Sequence, residues 1–362
     1  MRLQLMGCAL AAGALLGCGA PPAGRAVSAD VRGAVYQDTD QTTIGTVVTA
    51  IRGRPSSEVT LTAREVVDIT TSASVDVVSA ATGRWDEARS ETMGGVTWAD
   101  GWTTLDVAYV YSAENDWWSH AGSFGLRQDL ADHDVSLTLG GRFVWNDIGR
   151  SGDPTFHREQ LGLDASAGVV WVASPESLFS ISYGLMTVHG YQVSPYRYVR
   201  VRAQSDAPLP LSTPERAPAD RYRHALVLRW NHAPDPNVAV RTHARLYADD
   251  WGVFSVTAGT EVRGQVDQTE LGLALRAHAQ TGASFFRDVY DTPLVYMTSD
   301  RELSPLVDVF AGPSIGWRGP AGDLSELRLE ARAMLFGFWL FEFSRLPERY
   351  GVVGELAVGG DL

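Results

Sequence analysis

Apolar and polar residues alternate along most of this chain. In the segment 135–146 the two kinds of residue separate by parity. The odd positions are Val135, Leu137, Leu139, Gly141, Phe143 and Trp145, and the even positions are Ser136, Thr138, Gly140, Arg142, Val144 and Asn146. Successive side chains of a β-strand point to opposite faces, so a period of two predicts strands with one apolar and one polar face.

The segment 222–230 repeats this pattern and adds an aromatic residue at each end of the apolar face. Tyr222 and Trp230 enclose His224, Leu226 and Leu228 on that face. The two aromatic residues are separated by about 25 Å of strand, which is close to the height of the apolar band of a membrane barrel. A soluble β-sandwich also alternates, but aromatic residues at this spacing favour an all-β fold: an antiparallel transmembrane β-barrel of the bacterial outer membrane.

Fifteen segments from residue 43 onward alternate in this way. A bacterial single-chain barrel has an even number of strands, so we expect about fourteen, with twelve and sixteen as alternatives. Short connections alternate with long ones at 72–87, 146–159, 191–219 and 285–302, as expected for periplasmic turns and external loops. The candidate strands are 43–52, 57–71, 88–99, 102–113, 117–130, 133–146, 160–172, 177–190, 220–232, 237–249, 252–265, 268–282, 303–317, 326–343 and 351–358.

The composition suits a barrel better than a helical membrane protein. The 362 residues are 45% hydrophobic, which is too polar for a helical bundle but normal for a barrel with a polar lumen. The net charge of -13 argues against nucleic acid as a partner. All 30 basic residues are arginine, so every positive side chain carries a planar fork that fits a carboxylate or a phosphate.

The N-terminus has the features of an export signal, because Arg2 precedes an apolar core at 3–16 that is followed by small residues. The run Leu15-Leu16-Gly17-Cys18 resembles the lipobox of bacterial lipoproteins. We therefore expect a signal peptide at 1–17, a lipidated Cys18 that begins a tether over 18–42, and a barrel over 43–362. The alternative is an ordinary signal peptide that is cleaved later, for instance before Asp30.

Parity also predicts which side chains face the interior. A charged side chain on the lipid face costs about 2–4 kcal/mol near the bilayer midplane, so charges opposite the apolar stripe should point inward. Such an interior is either a charged pore that selects solutes or a packed salt-bridge network that only accommodates polar side chains. The candidate lumen-lining residues are Arg64, Asp68, Asp106, Arg142, Asp164, Arg221, Arg223, Arg229, Arg241, His243, Arg245, Glu261, Arg263, Arg276, His278, Arg328, Glu330 and Arg332.

Residue types that carry catalysis or bind metals do not form a recognised pattern here. His243 and His278 share the predicted inner face, but no histidine pair has HxxxH or HExxH spacing. His120 and His189 have serines nearby without a nucleophile elbow. We therefore predict a non-enzymatic protein with no catalytic, cofactor-binding or metal-binding residues and no cofactor.

Six stretches of the chain form a characteristic ordered set. They are Ser74–Thr82, Tyr196–Arg200, Glu215–Arg221, Arg245–Gly252, His278–Phe286 and Ser299–Pro305. In this order they resemble a bacterial family known as domain of unknown function 3570, over roughly residues 40–362. Gly83 replaces the usual proline of the family, and Phe286 replaces a tyrosine. The resemblance implies an outer-membrane barrel. Through the genes that often accompany family members, it also implies a conduit or scaffold for an extracytoplasmic redox or flavin-attachment system.

These features together predict a porin-like protein of a Gram-negative outer membrane. Its expected partners are outer-membrane lipid and lipopolysaccharide, the barrel-assembly machinery and a periplasmic redox partner. Three functions remain open. The first is a channel or conduit with an arginine-rich lumen, and the second is a plugged scaffold that binds a periplasmic partner. The third, a lipid-modifying enzyme, is the least favoured because no catalytic trio is recognisable.

Overall fold

The computed structural model describes residues 27–72, 85–202, 211–322 and 324–361. Within them, sixteen antiparallel strands form one closed barrel, and three short strands form a separate sheet. The barrel strands are β1 (Val27–Asp38), β2 (Thr42–Gly53), β3 (Val59–Ser72), β4 (Trp85–Ala99), β5 (Thr103–Ala113), β6 (Trp117–Leu130), β7 (Val135–Ile148), β8 (Arg158–Ser174), β9 (Ser177–Gly190), β12 (Asp220–Asp235), β13 (Val238–Asp249), β14 (Phe254–Val266), β15 (Thr269–Gln280), β17 (Leu306–Ala321), β18 (Leu324–Leu340) and β19 (Glu348–Asp361). The short strands are β10 (Tyr198–Val201), β11 (Leu211–Pro214) and β16 (Val289–Tyr290).

The expected number of about fourteen barrel strands is wrong, because the barrel has sixteen. Each of the fifteen predicted segments corresponds to one barrel strand, and the missing strand is β1. It pairs with β2 on one side and with β19 on the other, and so closes the barrel. β1 lies inside 18–42, the range expected to form a tether, so the barrel begins at Val27 rather than at residue 43. The small residues of β1 and its position directly after the predicted signal concealed its alternation.

The two ends of the barrel differ in their connections. At one end, which we call the turn end, strands are joined by a few residues, as between β8 and β9 or between β14 and β15. At the other end, the loop end, lie the strand ends that flank all four of the long connections predicted from the sequence. Short turns face the periplasm in barrels of this kind and long loops face outward. The turn end is therefore the periplasmic end.

The outer surface is an apolar band between two rows of aromatic side chains. Near mid-height Leu273 is 62% exposed, and Leu226 and Leu329 share its face by register. Toward the turn end the ring of Phe179 stacks on that of Trp230, with centroids 6.1 Å apart. The band is interrupted on β3 by the outward-facing Glu65, which accepts hydrogen bonds from Ser90 and Thr92. Elsewhere it is an apolar surface with aromatic residues at both rims, which is stable in contact with lipid. The strands therefore span a membrane. Among the described residues no helix is long and apolar enough to do so.

The two longest connections fold back over the loop end. The connection 191–219 supplies β10 and β11, and the connection 281–305 supplies β16 and a short 3-10 helix, Arg301–Leu303. In the small sheet β10 lies between β11 and β16, so the sheet joins the two connections. We call their described parts, 191–202, 211–219 and 281–305, the plug.

Candidate functional site: the barrel interior

All the residues predicted to line the lumen lie on the face opposite the apolar band. Ion pairs identify that face as the interior, because Arg263 on β14 reaches Glu330 on β18 at 3.5 Å, and Arg332 on β18 reaches Glu261 on β14 at 2.6 Å. Two further strands, β15 and β17, separate these partners along the wall. By strand register the inner set comprises Arg64, Asp68, Asp106, Arg142, Asp164, Arg221, Arg223, Arg229, Arg241, His243, Arg245, Glu261, Arg263, Arg276, His278, Arg328, Glu330 and Arg332.

Part of this set forms a dense salt-bridge network on the wall from β14 to β18. The guanidinium group of Arg263 donates to Glu261 at 2.9 Å and to Glu270 at 2.6 Å. Nearby, Arg276 binds Asp308 at 2.6 Å, and Asp308 is completely buried. On this wall the arginines have carboxylate partners, as the packed-network interpretation of the sequence requires.

A second network lies on β3 and β4, where Arg64 binds Glu91 at 2.8 Å. Asp68 accepts a hydrogen bond from Arg89 at 3.2 Å. Arg89, Glu91 and Asp308 were not among the predicted inner residues. Their strand parity places them on the same face, so extending the alternation through β4 and β17 would have identified them.

Other inner residues have no ion pair among the described residues. Arg142 and Asp164 are direct neighbours across β7 and β8 without forming one. Arg223 contacts the sulfur of Met186 at 3.5 Å. His278 is buried and shares a 2.8 Å hydrogen bond with Thr257, so one of its ring nitrogens has a partner. No three His, Cys, Asp or Glu side chains of the described ranges lie close enough together to hold a metal ion.

The interior is sealed at the loop end by the plug. Phe286 and Ala283 of the plug belong to one buried apolar cluster with Tyr36, Phe336 and Phe338, whose side chains project inward from β1 and β18. A second cluster inside the plug contains Val199, Val201, Tyr290 and Met297. Inner residues at this end are accordingly buried in several sectors of the barrel, including Thr42, Ser72, Ile148, Ser255 and Asp308.

A buried ion pair fastens the plug to the barrel. Arg301 of the 3-10 helix binds Asp40, in the turn between β1 and β2, at 2.5 Å. Both side chains are almost fully buried, with 4% and 3% of their surface exposed. Asp38 and Arg349 form a second buried ion pair at 3.5 Å. Asp38 also accepts a 2.6 Å hydrogen bond from the hydroxyl of Tyr36. We call the Arg301–Asp40 pair the latch.

A buried carboxyl group lies within the plug itself. Glu215 accepts hydrogen bonds from the hydroxyl of Thr298 at 3.0 Å and from the backbone N–H of Ser299 at 2.9 Å. Arg197 lies 3.6 Å away but binds Asp300 more closely, at 2.5 Å. Burial raises the pKa of Glu215 to about 7, although Arg197 opposes the shift. Glu215 therefore changes its charge near neutral pH while it joins the two connections of the plug.

The interior keeps its contact with solvent at mid-height and toward the turn end. Asp106 and Arg142 are exposed although both point inward. The side chain of Arg241, near the turn end of β13, is 55% exposed. A barrel of sixteen strands is wide enough to enclose water. The described part of the interior is therefore a charged cup that opens toward the turn end and is closed at the loop end.

The plug is the part of the site that the parity analysis missed. One signal was present, since the sequence from Leu335 to Phe341 is apolar at both parities. In the structure Leu335 faces outward and is 68% exposed, whereas Phe336 and Phe338 face inward and pack against the plug. A strand that is apolar on both faces thus marks the place where the lumen is filled. The predicted signal peptide and the predicted lipidation site, Cys18, lie outside the described residues.

A family model described as "Protein of unknown function (DUF3570)" matches residues 82–311. The chain belongs to this family. Membership of DUF3570 agrees with the resemblance found in the sequence and with the closed barrel, but it assigns no activity. No curated protein matches this DUF3570 chain in sequence.

Solved structures similar to this DUF3570 barrel come from outer-membrane proteins. One, described as "Bacterial polysaccharide outer membrane secretin", aligns with a TM-score of 0.50 and 11% identity over 93% of this chain and 99% of its own. CdiB from Acinetobacter baumannii aligns with a TM-score of 0.49 and 9% identity over 93% of this chain, which spans 60% of CdiB. OccD3 (OpdP) from Pseudomonas aeruginosa aligns with a TM-score of 0.39 and 9% identity over 94% of this chain and 92% of its own. The first likeness shows a common barrel fold, and with the apolar band it places the protein in the bacterial outer membrane.

Proposed function

We propose that this protein is a non-enzymatic outer-membrane conduit whose charged, arginine-rich lumen is open to the periplasm and held shut at the cell surface by its own plug. One observation carries the proposal. Charged inner side chains remain exposed toward the turn end, as Arg241 does, whereas inner side chains at the loop end are buried against the plug. A barrel that served only as a membrane anchor would not need a solvent-filled charged interior.

The plug is built as a removable part rather than as a continuation of the wall. It consists of two connections, and the latch joins it to the turn between β1 and β2 through side chains. Displacing it would leave the hydrogen bonds between the barrel strands intact, because β15 and β17 remain paired with each other below the connection 281–305. Opening therefore requires the loss of side-chain packing, a few ion pairs and a few backbone hydrogen bonds at the loop end, such as that from the N–H of Ser284 to the carbonyl of Trp251, and not the rupture of the barrel.

Conductance in planar lipid bilayers tests the proposal. The wild-type barrel should be mostly silent, and Phe286→Ala should raise the frequency of open events at least about tenfold, because loss of a buried phenylalanine side chain typically costs about 3–5 kcal/mol. Val295→Ala is the matched control, since Val295 belongs to the same connection but is 74% exposed. It should behave like the wild type.

A barrel that stays silent with Phe286→Ala, and also with residues 287–299 replaced by a short Gly-Ser linker, is not a conduit. The plug itself then favours the second candidate, a closed scaffold that holds a periplasmic partner of a redox system. Crosslinking in cells followed by purification would then recover one periplasmic protein in a fixed ratio to the barrel. Recovery of the barrel alone would contradict that candidate.

A further inference from the structure

The inner wall formed by β12 and β13 carries arginines that the rest of the barrel does not neutralise. Arg229 and Arg245 make no ion pair with any described residue. Arg241 has only a distant partner, the carboxylate of Glu261 at 3.9 Å, and Glu261 is bound more closely by Arg263 and Arg332. Three positive charges on this wall thus lack a close counter-charge of their own.

Strand register brings these arginines together. Arg229 on β12 lies directly across from His243 on β13, and His243 is flanked on its own face by Arg241 and Arg245. Residues two apart on a strand are about 7 Å apart, and diagonal neighbours on adjacent strands are about 7–8 Å apart. The backbone positions of the three arginines are therefore clustered around His243. We call Arg229, Arg241 and Arg245 the arginine wall.

The sector beside the arginine wall is lined by small residues. Ser180 lies across from Arg229, and Ser182 lies across from Val227 one step toward the loop end. On the next strand Gly168 pairs with Ser182. The small side chains of Ser180 and Ser182 occupy little of the lumen beside the unpaired positive charges.

Arginines on the neighbouring wall, from β14 to β18, have close carboxylate partners instead. Arg328 on β18 binds both Glu326 at 2.9 Å and Asp361 at 3.1 Å. Arg263 binds Glu261 and Glu270. The protein as a whole is strongly acidic, with a net charge of -13, so a shortage of carboxylates does not explain the unpaired arginines.

We infer that the arginine wall binds a solute that carries two or more oxyanion groups, either carboxylates or phosphates, about 7 Å apart. Guanidinium forks bind such groups through paired, charge-assisted hydrogen bonds. The anionic groups would replace the missing counter-charges, and the rest of the solute would occupy the space beside Ser180 and Ser182. This inference rests on the proposed function for its role, since the solute would be the cargo of the conduit. Binding itself requires only that the cup be open at the turn end.

Isothermal titration of the full-length barrel in a neutral detergent tests the inference with three probes. Inorganic tripolyphosphate and trigalacturonate carry several oxyanions, and maltotriose is a neutral sugar of similar size. Both anionic probes should bind, maltotriose should not, and raising the salt concentration should weaken binding because the attraction is between charges. In the triple variant Arg229→Gln, Arg241→Gln and Arg245→Gln, affinity should fall at least about tenfold. Arg328→Gln is the matched control and should bind like the wild type.

Folding of each variant is checked by the heat-dependent shift of barrels in gel electrophoresis. If the triple variant fails to fold, Arg245→Gln alone replaces it, and a smaller loss of anion affinity is expected. Two results would overturn the inference. One is that maltotriose binds as strongly as the anions, and the other is that the variants of the arginine wall bind the anions as strongly as the wild type does. A barrel that never conducts but binds the anions through the arginine wall refutes the conduit and keeps the site. A barrel that conducts but does not bind the anions refutes the site and keeps the conduit.

Discussion

Removing the charge of Asp40 should release the plug. Asp40 and Arg301 form an ion pair of 2.5 Å in which both side chains are almost completely buried. Asp40→Asn removes the carboxylate that the buried guanidinium group of Arg301 binds. Breaking one side of a buried ion pair in this way costs about 3–5 kcal/mol.

The barrel strands do not depend on this pair, so the cost should fall on the equilibrium between the closed and the open plug. Each 1.36 kcal/mol changes an equilibrium about tenfold. The population of the open plug should therefore rise by about two to three and a half orders of magnitude. The barrel itself should keep its resistance to denaturation.

Chymotryptic cleavage after Phe286 measures the open population, because this side chain is 1% exposed in the closed plug and reaches the protease only when the plug leaves the barrel. Cleavage of Asp40→Asn should be faster than that of the wild type by up to the same factor, as long as opening and closing are fast relative to cleavage. The double variant Asp40→Asn with Arg301→Met should be cleaved more slowly than Asp40→Asn, because no unpaired charge remains buried. Wild-type cleavage rates in Asp40→Asn, or purely additive effects in the double variant, would refute the role of the latch.

Three further outcomes are expected. Because burial raises the pKa of Glu215 from 4.5 to about 7, its contribution to plug stability is full below about pH 4.5 and is lost as the pH rises to about 7. Proteolysis should therefore accelerate between about pH 5 and 7 and level off above that range, and Glu215→Gln should flatten this dependence; equal slopes in both proteins would exclude Glu215. Leu273→Arg places a charge on the outer face and should lower the free energy of unfolding in lipid by about 2–4 kcal/mol. A cysteine that replaces Arg276 should react with a water-soluble thiol reagent, and a cysteine that replaces Leu273 should not. The opposite labelling would invert the assignment of faces. Cys18→Ser should alter processing or sorting while leaving barrel stability unchanged, and a mature N-terminus at Asp30 by intact mass would show that Cys18 is not the lipid anchor.

The wall of the barrel was predictable from the sequence because the alternation of apolar and polar residues within each strand is enough to show which face contacts lipid. One face must contact lipid and the other must not, so Leu271, Leu273 and Leu275 identify the inward direction of Glu270 and Arg276 without knowledge of any neighbour. β1 escaped detection because only three valines mark its outer face, and because the predicted export signal shortly before it suggested a tether.

The plug and the pairing of charges were not predictable in this way. The latch joins residues 40 and 301, which are 261 positions apart, and Glu215 meets Thr298 across 83 positions of the chain. Such contacts depend on the path of irregular connections, which no periodicity encodes. Parity also cannot distinguish Arg263, which has several carboxylate partners, from Arg229, which has none among the described residues. That difference depends on side-chain reach across neighbouring strands.

The pairing of β1 with β19 has a consequence for the order in which the protein is made. These strands are separated by roughly 300 residues of chain, so the contact that closes the barrel is among the most distant in the sequence, and contacts of this kind form slowly. Until β19 has been synthesised and exported, β1 presents a row of unpaired backbone donors and acceptors along one edge. During passage through the periplasm β1 is therefore able to pair with other chains, and the survival of the protein depends on whatever shields that edge before the last strand arrives.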